Sequence, residues 1–112
     1  MLKPVIIVSA ALLIAACVTD SGAAGLSENA AKGRDFAQAN CASCHALEDG
    51  VSPNPKAPSL EVASHRLPAW AVAGSFERGI QVGHTSEMPV FKFEDGDIEN
   101  LLAYLDALRT AQ

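Results

Sequence analysis

The sequence predicts an all-α fold of about three to five helices joined by long loops. Three observations predict it. Ile98, Leu101, Leu102, Leu105 and Leu108 recur at helical spacing near the C-terminus. Ala30, Gly33 and the pair Phe36-Ala37 share one face of a second segment. No segment alternates apolar and polar residues as a half-buried strand would.

The chain has 112 residues, enough for one domain. It opens with Lys3 and then an apolar run from Val5 to Ala16 broken only by Ser9. That run is shorter than the roughly 20 residues a spanning helix needs, so residues 1–16 read as a secretory signal. The run ends Ile14-Ala15-Ala16-Cys17, which resembles the bacterial lipobox. That resemblance implies cleavage before Cys17 and acyl chains on it, a tether to a membrane surface. Ordinary signal cleavage near Gly22-Ala23-Ala24 is the other reading. Residues 17–25 are small and polar and read as a flexible tether, leaving 26–112 as the folded domain.

The signal carries one of the eight basic residues and none of the thirteen acidic ones, so the remainder has a net charge of −6. No basic cluster exists, which excludes a nucleic-acid partner. A domain this small, with four Phe, one Trp and one Tyr, benefits from a disulfide, metal or cofactor as a staple.

The elements follow in order. The first helix is expected from about Ser27 to Ala39, with Ser27 as N-cap and Glu28 favoured by the helix dipole in the first turn. Gly33 costs helix stability and so implies close approach of another backbone. Asp49 to Pro58 is loop, punctuated by Gly50, Pro53, Pro55 and Pro58. A short helix starts at Ser59. Another starts at Pro68 as its first residue, continues through Trp70, Ala73, Phe76 and Glu77, and is stopped by Gly79. Ile80 to Asp95 is loop, and the last helix begins with Asp97 as N-cap.

Cys41-Ala42-Ser43-Cys44-His45 matches C-x-x-C-H, the attachment signature of c-type haem. Thiols three residues apart on a helical turn can add across two vinyl groups of one porphyrin, and the next side chain presents an imidazole to the iron. A redox-active C-x-x-C would need βαβ patterning, which is missing. A zinc site would need a fourth ligand, and Cys17 lies across the tether.

On these residues the chain resembles class I cytochrome c over roughly Leu26 to Leu108. Gly33 stands where that family has its first-helix glycine, and Leu101-Leu102-Ala103-Tyr104-Leu105 looks like its C-terminal helix motif. The resemblance implies that the terminal helices cross with the glycine against the leucine and tyrosine. Ala37 departs from the pattern, since many members have an aromatic there, and Phe36 is the neighbour that can fill the volume. Ala57-Pro58-Ser59-Leu60 looks like the family's G-P-N-L loop, which implies that the Pro58 carbonyl orients His45. Met88, the only methionine outside the signal, resembles the axial methionine and implies His45 and Met88 as iron ligands. His65 and His84 are expected not to be ligands. Trp70 is either a propionate donor or packed against the haem, and Phe76, Ile80, Val90, Phe91 and Phe93 are expected to line the pocket.

The resemblance implies one covalently bound haem c and an electron carrier rather than an enzyme. Its partners would be redox proteins, on the periplasmic side of a bacterial membrane, lipid-anchored through Cys17 or soluble there. The other functional class is a ligand-binding, sensing or peroxidase haem protein, which requires Met88 to be displaceable. A thiol oxidoreductase using Cys41 and Cys44 is the third.

Overall fold

The computed structural model describes residues 25–80 and 87–111, and among them all regular structure is helical. The expectations on the signal, on Cys17 and on His84 lie outside these residues. Four helices follow in order: α1 (Glu28–Asn40), α2 (Leu60–Arg66), α3 (Ala69–Glu77) and α4 (Asp97–Thr110). None is long and apolar enough to cross a membrane.

α1 starts as the sequence indicates. The Ser27 hydroxyl accepts the Ala30 N–H at 3.2 Å, which satisfies one of the free donors of the first turn. The helix buries Ala30, Gly33 and Ala37. α2 is capped the same way, by Ser59 accepting from the Val62 N–H at 3.1 Å. α3 begins one residue later than expected. Pro68 has ψ 153°, so it is the N-cap rather than the first helical residue. α4 shifts the other way and begins one residue earlier than expected, with Gly96 in the left-handed region as its N-cap. The Asp97 carboxylate, expected to cap the helix, instead accepts from the Glu94 N–H at 2.9 Å and shapes the turn before it.

The core forms where α1 crosses α4. A side chain at Gly33 would overlap the Asn100 carbonyl and come within 2.9 Å of Tyr104 Cβ. The close approach inferred from a helix-breaking residue is therefore a backbone-to-backbone contact with α4, flanked by Tyr104 Cβ. Ala37 is fully buried in the same core. Phe36, beside it, is half-buried, with its ring tilted 32° to that of Phe93 and the centroids 5.5 Å apart.

A polar triad locks this crossing to the loop after the C-x-x-C-H motif. Tyr104, fully buried on α4, donates its hydroxyl to Glu48 Oε1 at 2.5 Å, and Arg34 Nε on α1 donates to the same oxygen at 2.7 Å. Burial and the Glu48 carboxylate hold the Tyr104 phenol well above its ordinary value of about 10. A phenol whose folded value is raised contributes stability below its unfolded value and loses it as pH rises through the folded one. Tyr104→Phe should thus cost about 1–3 kcal/mol at neutral pH, and should flatten the fall in stability above pH ~10, both read by denaturant titration.

α2 is held from the far end of the chain. Arg109 Nε donates to the Ser64 carbonyl at 2.9 Å and its Nη2 to the Leu67 carbonyl at 3.3 Å. These carbonyls, at and just past the end of α2, lack helical partners.

Candidate functional site

The C-x-x-C-H motif is a continuation of α1. The Cys41 N–H bonds the Ala37 carbonyl at 2.8 Å, and the His45 N–H bonds the Cys41 carbonyl at 2.9 Å. The chain thus makes one further turn, which brings both thiols and the imidazole to the same side. All three line one cleft of about 410 Å³.

The loop that follows is fastened at several points. The Asn54 N–H bonds the Cys44 carbonyl at 3.2 Å, and Ser52 Oγ accepts the Ala46 N–H at 3.0 Å. The carbonyls of Ala46 and Leu47 then accept the first N–H groups of α2, from Leu60 at 2.8 Å and Glu61 at 3.2 Å. These bonds set Pro58 behind His45, and His45 Nδ1 lies 2.6 Å from the Pro58 carbonyl. A carbonyl only accepts, so Nδ1 carries the proton and Nε2 keeps its lone pair for a metal. This is the carbonyl contact that the Ala57-Pro58-Ser59-Leu60 stretch implied.

Cys41 and Cys44 are both free thiols. Burial, with a smaller contribution from Cys44, pushes the Cys41 thiol up from its ordinary value. Redox-active C-x-x-C pairs need the opposite shift, towards thiolate, so this environment is poor for thiol exchange.

Met88 lines the same cleft and is half-buried. Its segment is pinned at both ends. α3 closes with Gly79 and Ile80 in the left-handed region: the Gly79 N–H bonds the Phe76 carbonyl at 2.9 Å and the Ile80 N–H bonds the Ser75 carbonyl at 2.8 Å. Beyond Met88, the Phe91 N–H returns to the Gly79 carbonyl at 3.1 Å. Ile80 is β-branched with φ 60°, a conformation that costs on the order of 1–3 kcal/mol. Its side chain is buried in the cleft wall, and that burial offsets the strain.

The rest of the wall is apolar: Leu60, Ala63 and Leu67 from the α2 region, Val72 and Phe76 from α3, Phe91, and Leu101 and Leu105 from α4. Phe76, Ile80 and Phe91 are where the sequence reading put them. Val90 and Phe93 are not. Val90 is 69% exposed, and Phe93 sits behind the wall as the hub of an aromatic cluster, 5.6 Å from Phe76 and 6.1 Å from Phe91. Trp70 does not line the cleft and is 78% exposed. His65 is exposed and does not line it either. The α2 and α4 linings went unassigned to the pocket from sequence, because the leucine stripe of α4 reads equally as ordinary core.

The residues fit a covalently held porphyrin. A mostly apolar cleft has two thiols on one wall, an imidazole with its outer nitrogen fixed as the donor-free one, and a thioether among its other lining residues. A family profile described as cytochrome C oxidase, cbb3-type, subunit III matches residues 28–105. No curated protein and no solved structure matches the chain.

Proposed function

Because this chain belongs to the family of cytochrome C oxidase, cbb3-type, subunit III, we propose that it is a single-haem electron carrier whose iron is held by His45 and Met88. A domain of this family is a c-type cytochrome with covalently bound haem c and a general role in electron transfer. Cys41 and Cys44 would form the two thioether bonds.

The observation that carries the reading is the 2.6 Å contact between His45 Nδ1 and the Pro58 carbonyl, in a cleft that Met88 also lines. The bound haem supplies a reversible one-electron change at iron. The chain's own residues do the rest. Pro58 fixes the His45 tautomer and ring orientation and raises the basicity of Nε2. The soft Met88 sulfur favours the reduced metal. Leu101, Leu105, Val72 and Phe76 keep water from the cleft floor. His45 and Met88 together would hold the iron and leave little for oxygen or peroxide to bind.

The rest of the organisation belongs to the same proposal. Residues 1–16 would be removed as a signal, 17–25 would tether, and 26–112 would form the cytochrome domain. The protein would work on the periplasmic side of a bacterial membrane, anchored by lipid on Cys17, between redox partner proteins.

Intact mass and optical spectra of protein made with a haem-attachment system test this. The expected result is one haem added to the mass, a ferric sulfur-to-iron charge-transfer band, and a reduced spectrum unmoved by carbon monoxide. A reduced spectrum that shifts with carbon monoxide would replace it with a ligand-binding or peroxidase role. Membrane release of a Cys17→Ser variant checks the tether, and a variant that stays bound and normally processed removes it. Gly79→Ala should weaken the charge-transfer band while the haem stays attached. Its Cβ would come within 2.8 Å of Val90 Cγ1 and 2.9 Å of the Phe91 carbonyl, and its φ is +76°.

A further inference from the structure

Glu48 stands just past His45, where the loop after C-x-x-C-H meets the helical core. Its carboxylate gathers donors from two different helices. Arg34 of α1 reaches Oε1 with Nε at 2.7 Å and Oε2 with Nη2 at 3.4 Å, and Tyr104 of α4 donates its hydroxyl to Oε1 at 2.5 Å. The Arg34 and Glu48 side chains are 12% and 29% exposed and Tyr104 is fully buried, so this network lies largely out of water. Held from both helices, the carboxylate fixes the backbone that carries it.

That backbone is the segment on which α2 starts. The carbonyls of Ala46 and Leu47, immediately before Glu48, accept the N–H groups of Leu60 and Glu61. Leu47 is itself buried in the core. Only the N-cap Ser59 separates Leu60 from Pro58, whose carbonyl meets His45 Nδ1. The far end of α2 is tied separately, by Arg109 of α4 to the carbonyls of Ser64 and Leu67. Both ends of α2 are therefore referred to α4, and the end that aims Pro58 is referred to it through Glu48.

We propose that Glu48 is a positioning residue for His45: gripped by Arg34 and Tyr104, it sets the start of α2 and with it the Pro58 carbonyl against Nδ1. The proposal rests on the reading of His45 as an iron ligand. Glu48 acts through Ala46, Leu47 and Pro58 rather than on the imidazole itself. An Nδ1–H that donates well makes Nε2 a stronger ligand and favours ferric iron. A slackened bond shifts the balance towards ferrous iron and opens Nδ1–H to exchange with solvent.

Two substitutions separate placement from charge. Glu48→Asp keeps the charge but draws the carboxylate back by a methylene, so it meets Arg34 and Tyr104 only if the 46–48 backbone shifts. Glu48→Gln keeps the length and an acceptor oxygen but removes the charge. Both are made as haem-loaded protein. NMR of the ferrous form reads exchange of the His45 Nδ1–H, and spectroelectrochemistry reads the midpoint potential. Glu48→Asp should speed the exchange by about tenfold and move the ferric–ferrous equilibrium about threefold towards ferrous. Glu48→Gln should leave the exchange within about twofold of wild type. Its lost charge shifts the midpoint directly, so that variant is read by exchange alone.

Two outcomes overturn the proposal. In one, Glu48→Asp lowers the denaturation midpoint yet leaves exchange and potential within about twofold of wild type, which makes Glu48 a stabilising residue only. In the other, Glu48→Gln speeds the exchange as much as Glu48→Asp, so charge and not placement is at work. Should Glu48→Asp fail to fold, Tyr104→Phe, which removes one of the two donors, is held to the same outcomes. Failure of the ligand reading shows separately, in wild type, as His45 ring protons without the upfield shift of an imidazole bound beneath a porphyrin.

Discussion

Met88→Leu is expected to abolish the ferric sulfur-to-iron band, lower the reduction potential by on the order of 0.2 V and let carbon monoxide bind the reduced protein, with the haem still covalently attached. Leucine nearly conserves the volume of methionine, so packing in the cleft should change by less than about 1.5 kcal/mol. The variant thereby separates the two things Met88 could do. If it only fills a gap, a leucine fills it as well, and neither the band nor the potential moves. If its sulfur is a ligand, the optical and electrochemical changes are large while the denaturation midpoint moves little. Spectroelectrochemical titration of both proteins decides between them.

The largest stability effect is expected at Gly33. Gly33→Val should destabilise the domain by roughly 3–5 kcal/mol, enough to take much of the 5–15 kcal/mol of a typical domain. An added Cβ overlaps the Asn100 carbonyl, which is helix backbone and cannot turn aside. Relief requires α1 and α4 to separate, and separation uncovers Ala30, Ala37, Leu101 and Tyr104, which are each at most 2% exposed. A β-branched side chain adds a helix penalty of a few tenths of a kcal/mol. Denaturant titration, with the near-ultraviolet signal of Tyr104 as a second probe, would measure it. A loss below about 1 kcal/mol would mean that the crossing is much looser than the structure has it.

Much of this architecture is legible in the sequence because it is local. Ser27 and Ser59 announce helix starts through their own hydroxyls, the α4 stripe repeats at helical spacing, and C-x-x-C-H is written in five adjacent residues. Gly33 is legible for a different reason: a residue that harms its helix needs a neighbour to justify it. What sequence does not carry is which distant groups meet. Arg34 and Glu48 are 14 residues apart and Glu48 and Tyr104 are 56 apart, so nothing in the spacing couples them. The same holds for Arg109 reaching the end of α2. Val90 and Phe93 were misplaced because a loop has no period from which to tell the inward side. Trp70, expected to reach a propionate or pack against the haem, lies on a side of α3 that faces away from the cleft.

The α1–α4 crossing also bears on timing. Gly33 meets Asn100, so the core joins the first helix to the last. A contact between such distant segments carries the entropy cost of closing the intervening loop and cannot form before both segments are present. An emerging chain lacks its core until α4 has left whatever delivers it. Cys41 and Cys44 stay uncovered through that interval, and covalent chemistry on them has its opportunity before the walls of the cleft come together.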